Sequence, residues 1–95
     1  MSPMVGPEER NSENPKMVDH LEVTEIEDGL IIYQESTDRV HYLNSTASVV
    51  LQLCNGSRTV EEIVTSVERL FDLDDAPAAE VGDCLARLER EGLVR

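Results

Sequence analysis

Basic residues are scarce in this chain. Eight lysines and arginines stand against twenty aspartates and glutamates, a formal charge of -12 over 95 residues. Residues 1–19 hold four acids and two bases, which leaves -10 on residues 20–95. A surface of that sign repels phosphate, so duplex nucleic acid and anionic membranes are poor partners, whereas basic peptides or proteins are drawn in. Long apolar runs are missing as well. No stretch approaches the roughly 20 residues needed to cross a bilayer, and MSPMVGPEERNSENPK lacks the hydrophobic centre of a signal peptide, so a cytoplasmic location is expected. Cysteine is confined to Cys54 and Cys84, without a CxxC pair. Both fall on apolar helical faces, which makes them buried thiols and not a metal or redox site. Only His20 and His41 offer imidazole partners to a thiol nucleophile. With no phosphate loop, metal cluster or paired acid and base, an independent enzyme has no support and no cofactor is expected. An acidic carrier protein fits the size and charge, but it needs a serine after an aspartate for its prosthetic arm. Asp-Ser occurs nowhere.

The stretch from Val40 to Ile63, VHYLNSTASVVLQLCNGSRTVEEI, organises the rest. Val40–Leu43 has the β-branched and aromatic content of a half-buried strand, and Asn44, Ser45 and Thr46 offer side-chain oxygens to the first amides of a helix. Ala47–Cys54 is apolar almost throughout and predicts a helix buried nearly all round, stopped by Asn55-Gly56. Thr59-Val60-Glu61-Glu62 is a capping box that starts a second helix. Val60, Ile63, Val64, Val67, Leu70 and Phe71 form its single apolar stripe. Asp72–Pro77 breaks that helix, and Asp74, Asp75 and Pro77 suit the start of the next. In the third helix Ala78, Val81, Leu85 and Leu88 repeat at helical spacing with Cys84 alongside, until Glu91-Gly92 ends it. Gly82, mid-helix, costs about 1 kcal/mol against alanine, which suggests either close approach of a neighbouring element or a ligand-lined groove.

Earlier in the chain, residues 1–17 carry three prolines with Gly6, Asn11 and Asn14, and a disordered tail over residues 1–19 is expected. From His20, LEVTEI alternates, Glu27–Gly29 forms a turn, LIIYQE resumes, and Ser36–Arg39 turns the chain into RVHYL. Three antiparallel strands followed by three helices make an α+β domain over residues 20–95, of winged helix-turn-helix kind.

These residues also carry a family resemblance. His41-Tyr42-Leu43-Asn44, Ala47, Val50-Leu51, Leu53-Cys54-Asn55-Gly56, Thr59–Ile63, Leu85, Leu88 and Glu91-Gly92-Leu93-Val94 together resemble the PqqD-like family. Its members are peptide chaperones, or RiPP recognition elements, of ribosomally made, post-translationally modified peptide pathways. The resemblance covers residues 20–94. It implies a non-enzymatic binder that takes the leader segment of a precursor peptide as an added β-strand and presents it to a separate modifying enzyme or leader protease. The groove it implies lies between the third strand and the third helix, at Arg39, Val40, His41, Tyr42 and Leu43 on one side and Val81, Cys84, Leu85, Arg87 and Leu88 on the other. Tyr42 and Leu88 are the expected walls, Arg39 and Arg87 suit an acidic leader residue or an internal ion pair, and His41 is expected to face solvent.

Strand addition agrees with the physics of a three-stranded sheet, whose two edges present unpaired amides and carbonyls. The same edges also permit a domain-swapped or edge-paired dimer beside the monomer. The alternative from another class is a winged-helix DNA-binding regulator. Against it, the third helix carries Arg87 and Arg90 among Glu80, Asp83, Glu89 and Glu91, where a recognition helix needs a basic face.

Overall fold

The computed structural model describes residues 14–95. Three strands, β1 (Leu21–Ile26), β2 (Gly29–Gln34) and β3 (Arg39–Asn44), precede three helices, α1 (Ser45–Leu53), α2 (Val60–Leu70) and α3 (Ala78–Arg90). The strands form one antiparallel sheet in the order β1-β2-β3, so β1 and β3 are its edges. The fold is α+β, three strands and then three helices, as expected.

The first turn is tighter than Glu27–Gly29. It is Glu27-Asp28, with Gly29 already in β2 opposite Asn44. A Cβ at Gly29 would collide with the Leu43 carbonyl oxygen, so glycine is required by the close passage of β3. In the second turn Asp38 takes φ 55°, a left-handed conformation that aspartate tolerates, and accepts a 2.6 Å hydrogen bond from the Tyr33 hydroxyl.

Asn44 is the residue that caps α1: its side-chain oxygen accepts from the Ala47 N–H at 2.9 Å. Ser48 is buried in that helix because its hydroxyl donates back to the Asn44 and Leu43 carbonyls at 2.7 and 3.2 Å. Gly56, at φ 85°, turns the chain out of the loop behind α1. The capping box at α2 is formed in full, Glu62 N–H to Thr59 Oγ1 at 3.1 Å and Thr59 N–H to Glu62 Oε1 at 2.8 Å. By contrast α3 begins behind Pro77 with no side-chain cap, so Asp74 and Asp75 do not serve that role.

Leu30, Ile32 and Leu43 from the sheet, Val50 and Leu51 of α1, Ile63 and Val67 of α2, and Val81 and Leu88 of α3 meet in one core closed by Leu93 and Val94. The apolar stripe of α2 is buried only in its middle. Val60, Leu70 and Phe71 remain exposed at its ends.

The expected tail needs correction at its end. Residues 1–13 lie outside the described residues, but Pro15–Val18 are bound by backbone hydrogen bonds. Lys16 and Arg95 exchange two (3.1 and 2.9 Å), Met17 N–H reaches the Cys54 carbonyl (2.8 Å), Val18 N–H the Leu93 carbonyl (3.0 Å), and Gly56 N–H the Pro15 carbonyl (2.9 Å). Four residues hold the end of α1 to the C-terminal residues, and Met17 packs on the core.

Candidate functional site

The alternation of β3 divides its side chains between two faces. His41 and Leu43 point into the domain and are buried, while Val40 and Tyr42 project from the outer face, 67% and 53% exposed. Across the sheet, Tyr42 lies beside Ile31 and Val40 beside Tyr33, which makes the outer face unusually apolar for one in water. Arg39, at the start of the strand, is exposed. Among the described residues the outer edge of β3 pairs with no other strand.

The helix opposite presents several flanks. Val81, Leu85 and Leu88 fall in the core, whereas Glu80, Cys84, Arg87 and Glu91, spaced at four, three and four, make up a second flank. That flank is turned toward β3, since Glu91 Oε1 stands 3.3 Å from His41 Nδ1. His41 therefore does not face solvent, as its place in the sequence suggested. Counting inward positions from Leu43 puts it inside, with Gln34 Oε1 3.0 Å from its Nε2.

The network around it fixes the hydrogens. Gln34 Nε2 donates to the Gly92 carbonyl (3.3 Å), so Gln34 Oε1 is the atom that accepts from the Thr37 hydroxyl and faces His41 Nε2, each at 3.0 Å. In the tautomer with its hydrogen on Nε2, His41 donates to that oxygen. Glu91 Oε1 is buried with His41 as the group that faces it. Its other oxygen accepts from Arg87 Nε at 3.5 Å. The strand edge and the end of α3 are thereby joined through side chains from β2, β3 and α3.

The ten residues read from the sequence sort into three groups. His41 and Arg87 meet through Glu91, with which Arg87 forms an internal ion pair, while Cys84, on the same flank of α3, packs against the core. Leu43, Val81, Leu85 and Leu88 belong to the core, and Leu88, fully buried, is not the exposed wall expected of it. Arg39, Val40 and Tyr42 bring the free backbone edge, but Val40 and Tyr42 turn their side chains to the far face of the sheet. The thiols carry no sign of activation. Burial pushes Cys54 up to about 12 and raises Cys84, the nearby Arg87 charge opposing in the second case.

Sequence reading missed two features. One is the pairing of Glu91 and Gln34 with His41, which joins positions far apart in the chain and has no local signal. The other is an apolar pocket between the start of α1, the end of α2 and the start of α3, lined by Val67, Phe71, Leu73 and Pro77 with Thr46 and Glu80 at its sides. Leu70, Phe71 and Leu73, three large apolar residues where α2 ends before a polar link, were the available clue, and all three are exposed.

Comparison with solved structures finds the same fold in TbiB1 in complex with the TbiA(beta) leader peptide. The TM-score is 0.71 at 22% identity, covering 84% of this chain and 94% of that one. A comparison with curated protein sequences returns no match. The family model for coenzyme PQQ synthesis protein D (PqqD) matches residues 29–94, from the glycine that opens β2 to the valine that closes the core. With β2, β3, all three helices and the terminal Leu93-Val94 inside that match, the chain belongs to the PqqD family.

Proposed function

We propose that this protein is a non-enzymatic peptide chaperone. It binds the leader segment of a ribosomally made precursor peptide as a fourth strand on β3, in the groove facing Cys84, Arg87 and Glu91, and presents it to a separate modifying enzyme or leader protease. The observation that carries this reading is the unpaired β3 edge lying beside a helix flank, in a chain of the PqqD family. The bound leader peptide named with the structurally similar TbiB1 supports it.

Magnitudes set what the groove must supply. Four added backbone hydrogen bonds at about 1 kcal/mol each contribute at most roughly 4 kcal/mol, and micromolar binding needs about 8. Two or three apolar anchors, each worth about 1.5 to 3 kcal/mol when buried, make up the difference. The ordering cost of a flexible leader adds to that requirement. The acidic surface, and an Arg87 already engaged by Glu91, speak against duplex DNA as the ligand of this winged-helix topology.

Titrating the isotopically labelled chain with the N-terminal segment of a candidate precursor peptide tests the assignment. Amide shifts are expected along Arg39–Leu43 and α3 together. Shifts confined to β1 or to α2 would reject the groove.

A further inference from the structure

Three large apolar side chains stand in water where α2 ends: Leu70, Phe71 and Leu73 are 64%, 37% and 41% exposed. Single exposed leucines are ordinary, but these are grouped beside a pocket of about 310 Å³ lined by Val67, Phe71, Leu73 and Pro77, with Thr46 of α1 and Glu80 of α3 at its sides. The backbone builds this exposure. Asp72 takes φ 53°, its N–H donates to the Arg69 carbonyl at 3.2 Å, and the Leu73 N–H donates to the Glu68 carbonyl at 3.0 Å, so the helix stops at a fixed point and Leu73 is held outside. The charges around the patch are nearly all of one sign. Residues 68–83 hold six acids and one base, Arg69, which lines a different cleft with Arg58, Glu61 and Glu62. Neither Asp74 nor Asp75 caps α3, and among the described residues no ion pair involves Asp72, Asp74, Asp75 or Glu80.

An apolar hollow ringed by carboxylates defines the chemistry of what covers it. A second copy of this chain brings the same acidic ring against itself, and an anionic lipid surface is repelled likewise. A helix with one apolar stripe flanked by lysine or arginine satisfies both parts: the stripe is buried against Leu70, Phe71 and Leu73 while the cations meet Asp72, Asp74, Asp75 and Glu80. The face is separate from the peptide groove. Glu80 and Glu91 stand roughly 16 Å apart along α3, and no residue of β3 lines the pocket. We infer that this face docks a cationic amphipathic segment of the separate modifying enzyme or leader protease, so that enzyme and leader occupy the domain at once. The link to that enzyme rests on the presentation reading above.

The probe is a fluorescent peptide of about 14 residues, four helical turns, made of leucine and lysine with the leucines on one stripe. A control of the same composition carries them spread around the helix. Anisotropy and amide shifts are followed on the full chain. The stripe peptide is expected to shift Leu70–Glu80, to bind at least about tenfold more tightly than the control, and to leave Arg39–Leu43 undisturbed. Leu73→Asp decides between patch and charge, since it adds an acid while removing an apolar contact. Binding is expected to weaken about ten- to a hundredfold, with Leu73→Met restoring it and the circular dichroism spectrum unchanged at this exposed site. Asp74→Asn with Asp75→Asn is expected to weaken binding a few-fold and to flatten its salt dependence. Equal binding of the two peptides, or tighter binding by Leu73→Asp, reduces the face to diffuse surface charge and overturns the inference. So does displacement of the probe by excess candidate leader segment, which assigns the pocket to the groove, or self-association of the chain abolished by Leu73→Asp, which makes a second copy the occupant. Docking at the link in a chain whose β3 never responds to the leader segment keeps the face and sinks the peptide-binding reading. A response of β3 without docking at the link overturns this inference alone.

Discussion

β1 and β3 both present an unpaired edge among the described residues, yet the middle row of the inner sheet face runs Val23, Ile32, His41. At the β1 end of that row an apolar valine is 43% exposed, and at the β3 end a polar histidine is buried. The hydropathy of the two residues predicts the reverse. What decides is the cover: α1 lies under β2 and β3, and the end of α3 reaches β3 through Glu91, while β1 is exposed along most of its length. An edge with nothing beside it offers a peptide only backbone hydrogen bonds, and Glu22 and Glu25 on β1 add charge of the kind that discourages edge pairing. An edge beside a helix offers side-chain pockets as well. Of two chemically similar edges only β3 has the end of a helix beside it, and this is why the proposed capture is placed there.

The sharpest way to break the comparison is to truncate each edge toward the core. Leu43→Ala removes a fully buried side chain and is expected to destabilise the domain by about 3 kcal/mol, against about 0.5 kcal/mol or less for Val23→Ala, read from urea midpoints. Equal losses at the two sites would mean that β1 is as firmly built into the domain as β3. A smaller effect is expected from His41→Ala, about 1 to 2 kcal/mol, since it takes one partner from Gln34 Oε1 and removes the buried ring that faces Glu91 Oε1. In a double-mutant cycle with Glu91→Ala, a coupling near zero would show that the strand and helix are not tied through this pair. The smallest effect has the opposite sign. A Cβ at Gly82 meets nothing within 4 Å, so this glycine does not admit a close neighbour, and Gly82→Ala is expected to stabilise by up to about 1 kcal/mol. If it also leaves peptide affinity unchanged, the flank of α3 bearing Gly82 plays no part in capture; a lost affinity would move the groove to that flank, beside Leu85, Ala86 and Glu89.

Much of the fold was legible because its signals are local. Asn44 capping α1, Thr59 and Glu62 closing on each other, and the Ile63, Val64, Val67 stripe each follow from residues within one or two turns. The α+β class follows from the change of period between Asn44 and Ala47. The site was harder to read. β3 was identifiable as a strand, but the inward turn of His41 depends on which face the helices cover, and its partners Gln34, Glu91 and Gly92 come together only in three dimensions. Phe71 looked like the end of a buried stripe, whereas the turn at Asp72 keeps it at the surface. Pro15–Val18 sat in a polar, proline-bearing stretch with no periodicity, and only its backbone reveals the role.

That clip has a topological consequence. Because Lys16 and Arg95 trade both of their backbone hydrogen bonds, the two extremities of the folded unit emerge side by side. A short linker would suffice to join them, and a circularly permuted chain opened in the exposed 72–76 link should retain all six elements.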